Sequence, residues 1–191
     1  MANTVGSLTQ EQKSIIIGSL LGDGYLRIVP GRKNALLEIN HSISEKDYVD
    51  WKYQKLKNLA KSPPKQKHGK GRRIAYRFFT RQHPELTKLY QKFYQDGRKF
   101  VPNLELDPLI IAVWFMDDGS KSYKTYYLNT QRFDYRSQKK LIQMLKEQYR
   151  IDSALNRDKT YYRIRIKQSS AERFKRLICN YIIPTMKYKL G

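Results

Sequence analysis

Two stretches of the chain, Ile16-Ile-Gly-Ser-Leu-Leu-Gly-Asp-Gly24 and Ile111-Ala-Val-Trp-Phe-Met-Asp-Asp-Gly119, have the same layout: an apolar run that stops at aspartate followed by glycine. Each run has a helix start signal in front of it. Thr9-Gln-Glu-Gln12 has the spacing of a capping box, in which the threonine and the glutamine each satisfy a backbone N–H of the first turn. Asp107-Pro108 supplies an acidic N-cap and a proline at the first helical position, where its missing N–H costs nothing. The spacing therefore predicts two helices, Ile15 to Leu21 and Leu109 to Met116, each ending in Asp-Gly.

Outward from these helices the order of elements repeats. After Asp23, alternation predicts strands near Tyr25–Ile28 and Ala35–His41, then an amphipathic helix from Ser44 to about Ala60. A basic hairpin around His68-Gly-Lys-Gly71 leads into a strand at Ile74–Thr80, and a helix follows from Pro84 to Tyr94. After Asp118 the pattern gives a strand at Tyr123–Thr130, a helix from Ser137 to Tyr149 and a hairpin whose second strand is Tyr161–Lys167. A last helix is predicted to open on Ser169-Ser-Ala-Glu172. The chain thus reads as α+β, with two pseudo-symmetric α-β-β-α-β-β-α units. The units are assigned to residues 1–100 and 108–191, joined by a linker at 101–107.

Composition narrows the function. The 191 residues carry 38 Lys+Arg against 17 Asp+Glu, a formal net charge of +21, while 40% are hydrophobic and 13% aromatic. The chain can therefore fill a core, which excludes a disordered basic tail, and a folded protein this basic meets a polyanion. Both halves contribute, with 20 basic against 8 acidic residues in 1–100 and 18 against 9 in 101–191. The apolar run Leu109 to Met116 is too short to span a bilayer and no signal-peptide pattern opens the chain, so a soluble intracellular protein without a membrane partner is expected. One cysteine, Cys179, cannot form an internal disulfide, and its apolar neighbours predict a buried helix position. His41, His68 and His83 have no zinc spacing.

Small residues Gly18, Ser19 and Gly22 on one face of the first helix would admit a second backbone closely. Two such helices crossing near a pseudo-twofold axis would bring Asp23 and Asp118 together at their C-terminal ends. Carboxylates at the negative end of a helix dipole repel each other unless a cation lies between them. One or two carboxylates plus substrate phosphate oxygens is the donor set typical of Mg²⁺. The competing reading, in which each Asp-Gly only ends a helix and starts a turn, is weakened by the repeat.

The two stretches resemble the motifs of the LAGLIDADG homing endonucleases, most nearly the monomeric intron-encoded branch whose motifs read like LLGDGYL and WFMDDGSK. The resemblance extends to Leu128-Asn-Thr-Gln131 and to Pro184-Thr-Met-Lys-Tyr-Lys-Leu190. It implies antiparallel, saddle-shaped sheets with the motif helices packed at the central interface. It further implies a site-specific endonuclease making a metal-dependent double-strand break at a long asymmetric DNA target, promoting mobility of its intron. Asp23 and Asp118 would bind Mg²⁺, or Mn²⁺ in its place, and Gly22 and Asp117 would offer backbone carbonyls to the metal. Lys99 and Lys189 fall where the family places active-site lysines, with Lys187 competing for the role of Lys189. The sixth motif position holds Leu21 and Met116 in place of aspartate, and Val113 and Trp114 stand where small residues are usual, so the helix crossing is less closely specified than the carboxylates.

Strand alternation also yields candidate DNA contacts. Arg163, Arg165 and Lys167 alternate with Tyr162, Ile164 and Ile166, and Arg73 and Arg77 alternate with Ile74, Tyr76 and Phe78. A two-stranded ribbon fits the major groove, where all four base pairs are distinguishable. The candidates are Arg27, Arg32, Lys33, Asn40, Lys65, Lys67, Arg73 and Arg77 in the first half. In the second they are Lys124, Tyr126, Asn129, Gln131, Arg157, Arg163 and Arg165. Two motifs in one chain predict a monomer acting on double-stranded DNA. The alternative on the same fold is an RNA-binding group I intron maturase. The composition suits an organelle-encoded protein of mitochondrion or chloroplast and equally a bacterial or phage one.

Overall fold

In the computed structural model, which describes residues 6–69 and 74–191, the chain divides into two compact units, 1–91 and 92–191. The first contains α1 (Gln10–Leu21), β1 (Tyr25–Ile28), β2 (Ala35–Ser42), a 3₁₀ turn at Ile43–Glu45, α2 (Lys46–Lys55), β3 (Lys65–His68), β4 (Ile74–Phe79) and most of α3 (Pro84–Phe93). The second contains the hairpin β5 (Tyr94–Gln95) and β6 (Arg98–Lys99), then α4 (Pro108–Asp118), β7 (Gly119–Ser122), β8 (Thr125–Leu128) and α5 (Tyr135–Tyr149). It closes with β9 (Ser153–Asp158), β10 (Tyr161–Ile166), α6 (Gln168–Ile178) and 3₁₀ turns at Cys179–Tyr181 and Pro184–Lys189. The two sheets are antiparallel with equivalent orders, β1-β2-β4-β3 and β7-β8-β10-β9. The expected α-β-β-α-β-β-α order holds in both.

Local chemistry accounts for the helix starts. Thr9 and Gln12 form the reciprocal capping box that opens α1, with both bonds at 3.2 Å. The Asp107 carboxylate accepts from the Ile110 N–H at 2.7 Å, and Pro108 follows it. The expected box at Ser169 does not form. Lys167 occupies the N-cap of α6 without a side-chain bond, and Ser169 is already inside the helix. Cys179 sits at the end of α6 and is half-buried where burial was expected.

α2 and α5 cover one face of their sheets. Tyr48 and Val49 of α2 are buried on the side that carries Leu37, Ile39 and Phe78; in the second unit Leu141 and Leu145 of α5 are buried with Ile164 and Ile166. Segment 101–107, expected to be a linker, is tied into the second unit. The Val101 N–H donates to Ser137, the Leu106 N–H to Gln148, and the Tyr149 hydroxyl to the Leu106 carbonyl. No helix among the described residues is long and apolar enough to cross a membrane.

Candidate active site and nucleic-acid interface

Each unit presents one carboxylate just where its apolar helix ends. In the first, the Gly22 N–H closes α1 onto Gly18 and Ser19, and the Gly24 N–H bonds back to the Ser19 carbonyl at 2.6 Å. A Cβ on Gly24 would lie 2.7 Å from that carbonyl oxygen, and one on Gly119 would overlap the ring and carbonyl of Phe115. Gly119 has φ −88°, ordinary for any residue. Glycine is therefore required by the close return of the chain onto the last helical turn, and not by a left-handed turn. At the helix ends Asp23 and Asp118 are half-buried, while Asp117 is buried.

The electrostatics is unfavourable by design of the position: neither α1 nor α4 has a basic residue in its last turn, and each ends against an aspartate. In the second unit the compensation comes from far along the chain. Lys189 donates through Nζ to the Met116 carbonyl and, at 3.3 Å, to that of Asp117. Its neighbour Lys187 is exposed. The Asp117 carbonyl, expected to face a metal, is thus already engaged by a cation. Lys99, expected in the first half, belongs to the second unit, with its Nζ 5.8 Å from the Phe133 ring centroid.

In the first unit the register Tyr25↔Glu38 carries the far end of β2 back to the end of α1. His41, dismissed in sequence for lack of zinc spacing, is buried there with Nδ1 3.8 Å from the Asp23 carboxylate and 3.0 Å from Glu45 Oε2. The second unit differs. The Asn129 N–H bonds the Asp118 carbonyl at 2.9 Å, and the next residue, Thr130, donates its hydroxyl to Gln138, a neutral pair where the first unit has an ionisable one. The two half-sites are therefore chemically unequal. Among the described residues no group of three His, Cys, Asp or Glu side chains is placed to hold a metal.

Strand pairing settles which candidate contacts share a face. Asn40 and Lys65 both lie opposite Arg77, Lys67 opposite Ala75, and Arg27 opposite Leu36. Opposed residues point the same way, so Arg27, Asn40, Lys65, Lys67 and Arg77 occupy one face, away from the buried Leu26, Leu37 and Phe78. Phe79 lies on that face with Arg27 5.5 Å and Arg77 5.1 Å from its ring centroid, and Arg77 pairs with Glu38 at 3.5 Å. Arg32 and Lys33 are exposed in the β1–β2 connection. Arg73, and Lys70-Gly71 of the predicted hairpin, lie outside the described residues.

In the second sheet Arg165 opposes Tyr127 and Arg163 opposes Asn156, again one face, which Asn129 continues. Gln131 donates its amide to Asp158 at 2.9 Å. Two candidates are corrected. Tyr126 is buried against Phe115 and Phe174 and donates its hydroxyl to the Leu190 carbonyl, so burial raises its pKa and it is a core residue. Arg157 opposes Tyr162, which packs on Tyr135 at the start of α5, so it lies on the helix side of the sheet. Lys124 is exposed in the β7–β8 turn, beside Tyr123 at φ 49°.

The model of the LAGLIDADG DNA endonuclease family matches residues 13–174. The chain belongs to that family. Among similar proteins, a cytochrome b mRNA maturase bI2 of Saccharomyces cerevisiae is 29% identical over the whole chain, which spans half of that relative's length. The probable intron-encoded endonuclease 1 of Wickerhamomyces canadensis is 30% identical over 96% of this chain and 85% of its own. The solved structure of the homing endonuclease I-WcaI bound to its DNA recognition sequence superposes with a TM-score of 0.91 at 28% identity. It covers 98% of this chain and 88% of that one. This LAGLIDADG chain thus shares its two-unit, two-sheet architecture with a homing endonuclease, and its relatives carry both endonuclease and maturase names.

Proposed function

We propose that this LAGLIDADG protein is a site-specific homing endonuclease that makes a metal-dependent double-strand break at a long asymmetric DNA target, acting as a monomer. The observation that carries the reading is the pairing, within each unit, of an apolar helix ending in a half-buried carboxylate with a sheet whose outward face bears cations. The two sheets carry different side chains, so the target they read is asymmetric. The donors suit Mg²⁺ or Mn²⁺: one carboxylate at each helix end is what such ions take from a protein when phosphate oxygens supply the rest. A bound divalent ion activates water and stabilises the leaving oxygen of a phosphodiester.

In this reading Asp23 and Asp118 would each supply a carboxylate to divalent metal binding. Lys189 presents its ammonium beside the end of α4, where it offsets charge developing on the scissile phosphate. Lys99 serves the same purpose from β6. His41, fixed by Glu45, restricts the Asp23 carboxylate. The sheet faces hold the duplex through phosphate contacts and read bases in the major groove.

The test is cleavage of a partially randomised duplex library with Mg²⁺, read by sequencing the ends, with Asp118→Asn as control. Metal-dependent cuts at one asymmetric site, absent in the control, support the proposal. The relatives named as mRNA maturases favour one second reading, an RNA-binding group I intron maturase. No cutting at full library coverage, together with tight binding of a structured group I intron RNA, establishes that reading instead.

A further inference from the structure

Among the described residues, Arg163 differs from the other cations on the outward faces in how it is held. Its guanidinium carbon lies 4.0 Å from the centroid of the Tyr127 ring, across the β8–β10 pair. Its Nε is buried without a hydrogen-bond partner, and among the described residues no carboxylate pairs with it. Arg77, the stacked arginine of the first sheet, is by contrast shared with Glu38 and flanks Phe79 together with Arg27. Arg165, on the same strand and face as Arg163, is exposed.

These differences sort by function. A phosphate needs only a positive charge within reach, which an exposed, mobile side chain supplies. A bidentate contact to the O6 and N7 of guanine needs the planar fork of arginine in one orientation, and an arginine already stacked on an aromatic ring loses little freedom in making it. Stacking also leaves the outer N–H groups free of internal commitments, so the base does not have to displace a partner.

We infer that Arg163, fixed on Tyr127, is a specificity-determining residue that recognises a guanine in the half of the target facing the second sheet. The inference rests on the endonuclease reading, since it presumes a duplex on that sheet. Its test is selection of bound duplexes from a randomised library by the full chain carrying Asp118→Asn, which keeps the duplex uncut, with and without Arg163→Lys. The parent is expected to require guanine at one position facing the second unit. Arg163→Lys keeps the charge but loses the fork, and should reduce that preference at least about tenfold at that position alone, leaving the salt dependence of binding unchanged. Tyr127→Leu, which removes the ring but no charge, should weaken the same preference. A melting midpoint of Arg163→Lys equal to the parent's verifies the fold.

Retention of every base preference by Arg163→Lys overturns the assignment. So does an Arg163→Ala protein that binds all duplexes more weakly by one factor, with a salt slope smaller by about 0.9, because that is the signature of a phosphate contact. A parent that enriches no duplex sequence but binds intron RNA overturns the endonuclease reading itself, an outcome distinct from either.

Discussion

Replacing Lys189 by methionine should separate its role from that of Lys187 two residues earlier. Lys189 reaches back across the second unit to donate to the Met116 and Asp117 carbonyls, groups that the last turn of α4 leaves without helical partners. A hydrogen bond from a charged donor contributes about 1.5–3 kcal/mol, and a cation at a helix C-terminus about 0.3–1 kcal/mol, the two overlapping because they describe one ammonium. Methionine fills similar space without donating, so the expected loss is about 2–3 kcal/mol. At roughly 2–4 °C per kcal/mol for a chain of this size, the melting midpoint should fall by about 4–12 °C. Lys187→Met removes an exposed charge and should stay within about 0.5 kcal/mol.

Urea titration and thermal melting of both variants measure this directly, and a cleavage assay on the same samples reads the chemical role. Lys189→Met is expected to lower the turnover rate while duplex affinity holds; Lys187→Met should leave the rate unchanged. Equal stabilities for the two variants, or a larger loss from Lys187→Met, would refute the reasoning, because the geometry gives only Lys189 a route to the helix end.

Asp23→Asn and Asp118→Asn should each abolish cleavage in a Mg²⁺ assay with binding retained, and should leave stability unchanged or raise it by up to about 1 kcal/mol, since each removes a negative charge from a helix C-terminus; persistent cutting by either sinks the metal assignment. Gly119→Ala forces a Cβ into the ring and carbonyl of Phe115 and should cost about 1–3 kcal/mol in a denaturation curve, an unaltered curve being the contrary result. Duplex affinity should drop about 10³- to 10⁵-fold between 50 and 200 mM salt if six to ten phosphates are contacted, and a flat titration would count against both sheet faces. Glu85 accepts from the Leu8 N–H at 2.8 Å and pairs with Lys13 at 3.0 Å, which holds its carboxyl below the usual range. Because the folded value is the lower one, this stabilisation is present at neutral pH and is lost as pH falls through the folded value. Glu85→Gln should therefore be less stable than the parent at pH 7, with the gap closing in acid.

What could be read from the chain alone follows from how far each signal reaches. Caps and apolar runs are local, and Thr9, Asp107 and both Asp-Gly ends stand where their neighbours in sequence require. The Asp-Gly pair at 96–97 is equally local. With positive φ at both residues it is the two-residue turn that joins β5 to β6 and sets Lys99 opposite Tyr94. Faces of strands are not local, because a slip of one residue inverts them. Within the strand expected at Tyr123–Thr130 the alternation did not fix a face; the chain turns at Tyr123 and Lys124, β8 begins at Thr125, and its pairing with β10 sets Tyr127 on the face of Arg165 and Tyr126 on the other.

His41 shows why the site itself was only half legible. Nothing in its neighbourhood of sequence marks it, and its proximity to Asp23 follows from the β1–β2 register, which is not local. The asymmetry it creates has a consequence for mechanism. An ionisable His41–Glu45 pair beside one carboxylate and a neutral Thr130–Gln138 pair beyond the other give the two half-sites different fields, although the helices that carry the carboxylates were built from one repeated pattern. Repetition specified the scaffold and the position of each aspartate; divergence of the second strand in each unit specified what surrounds it. On the endonuclease reading that division is useful, since each half can be altered at its sheet face and at its strand end without disturbing the apolar helix on which the carboxylate stands.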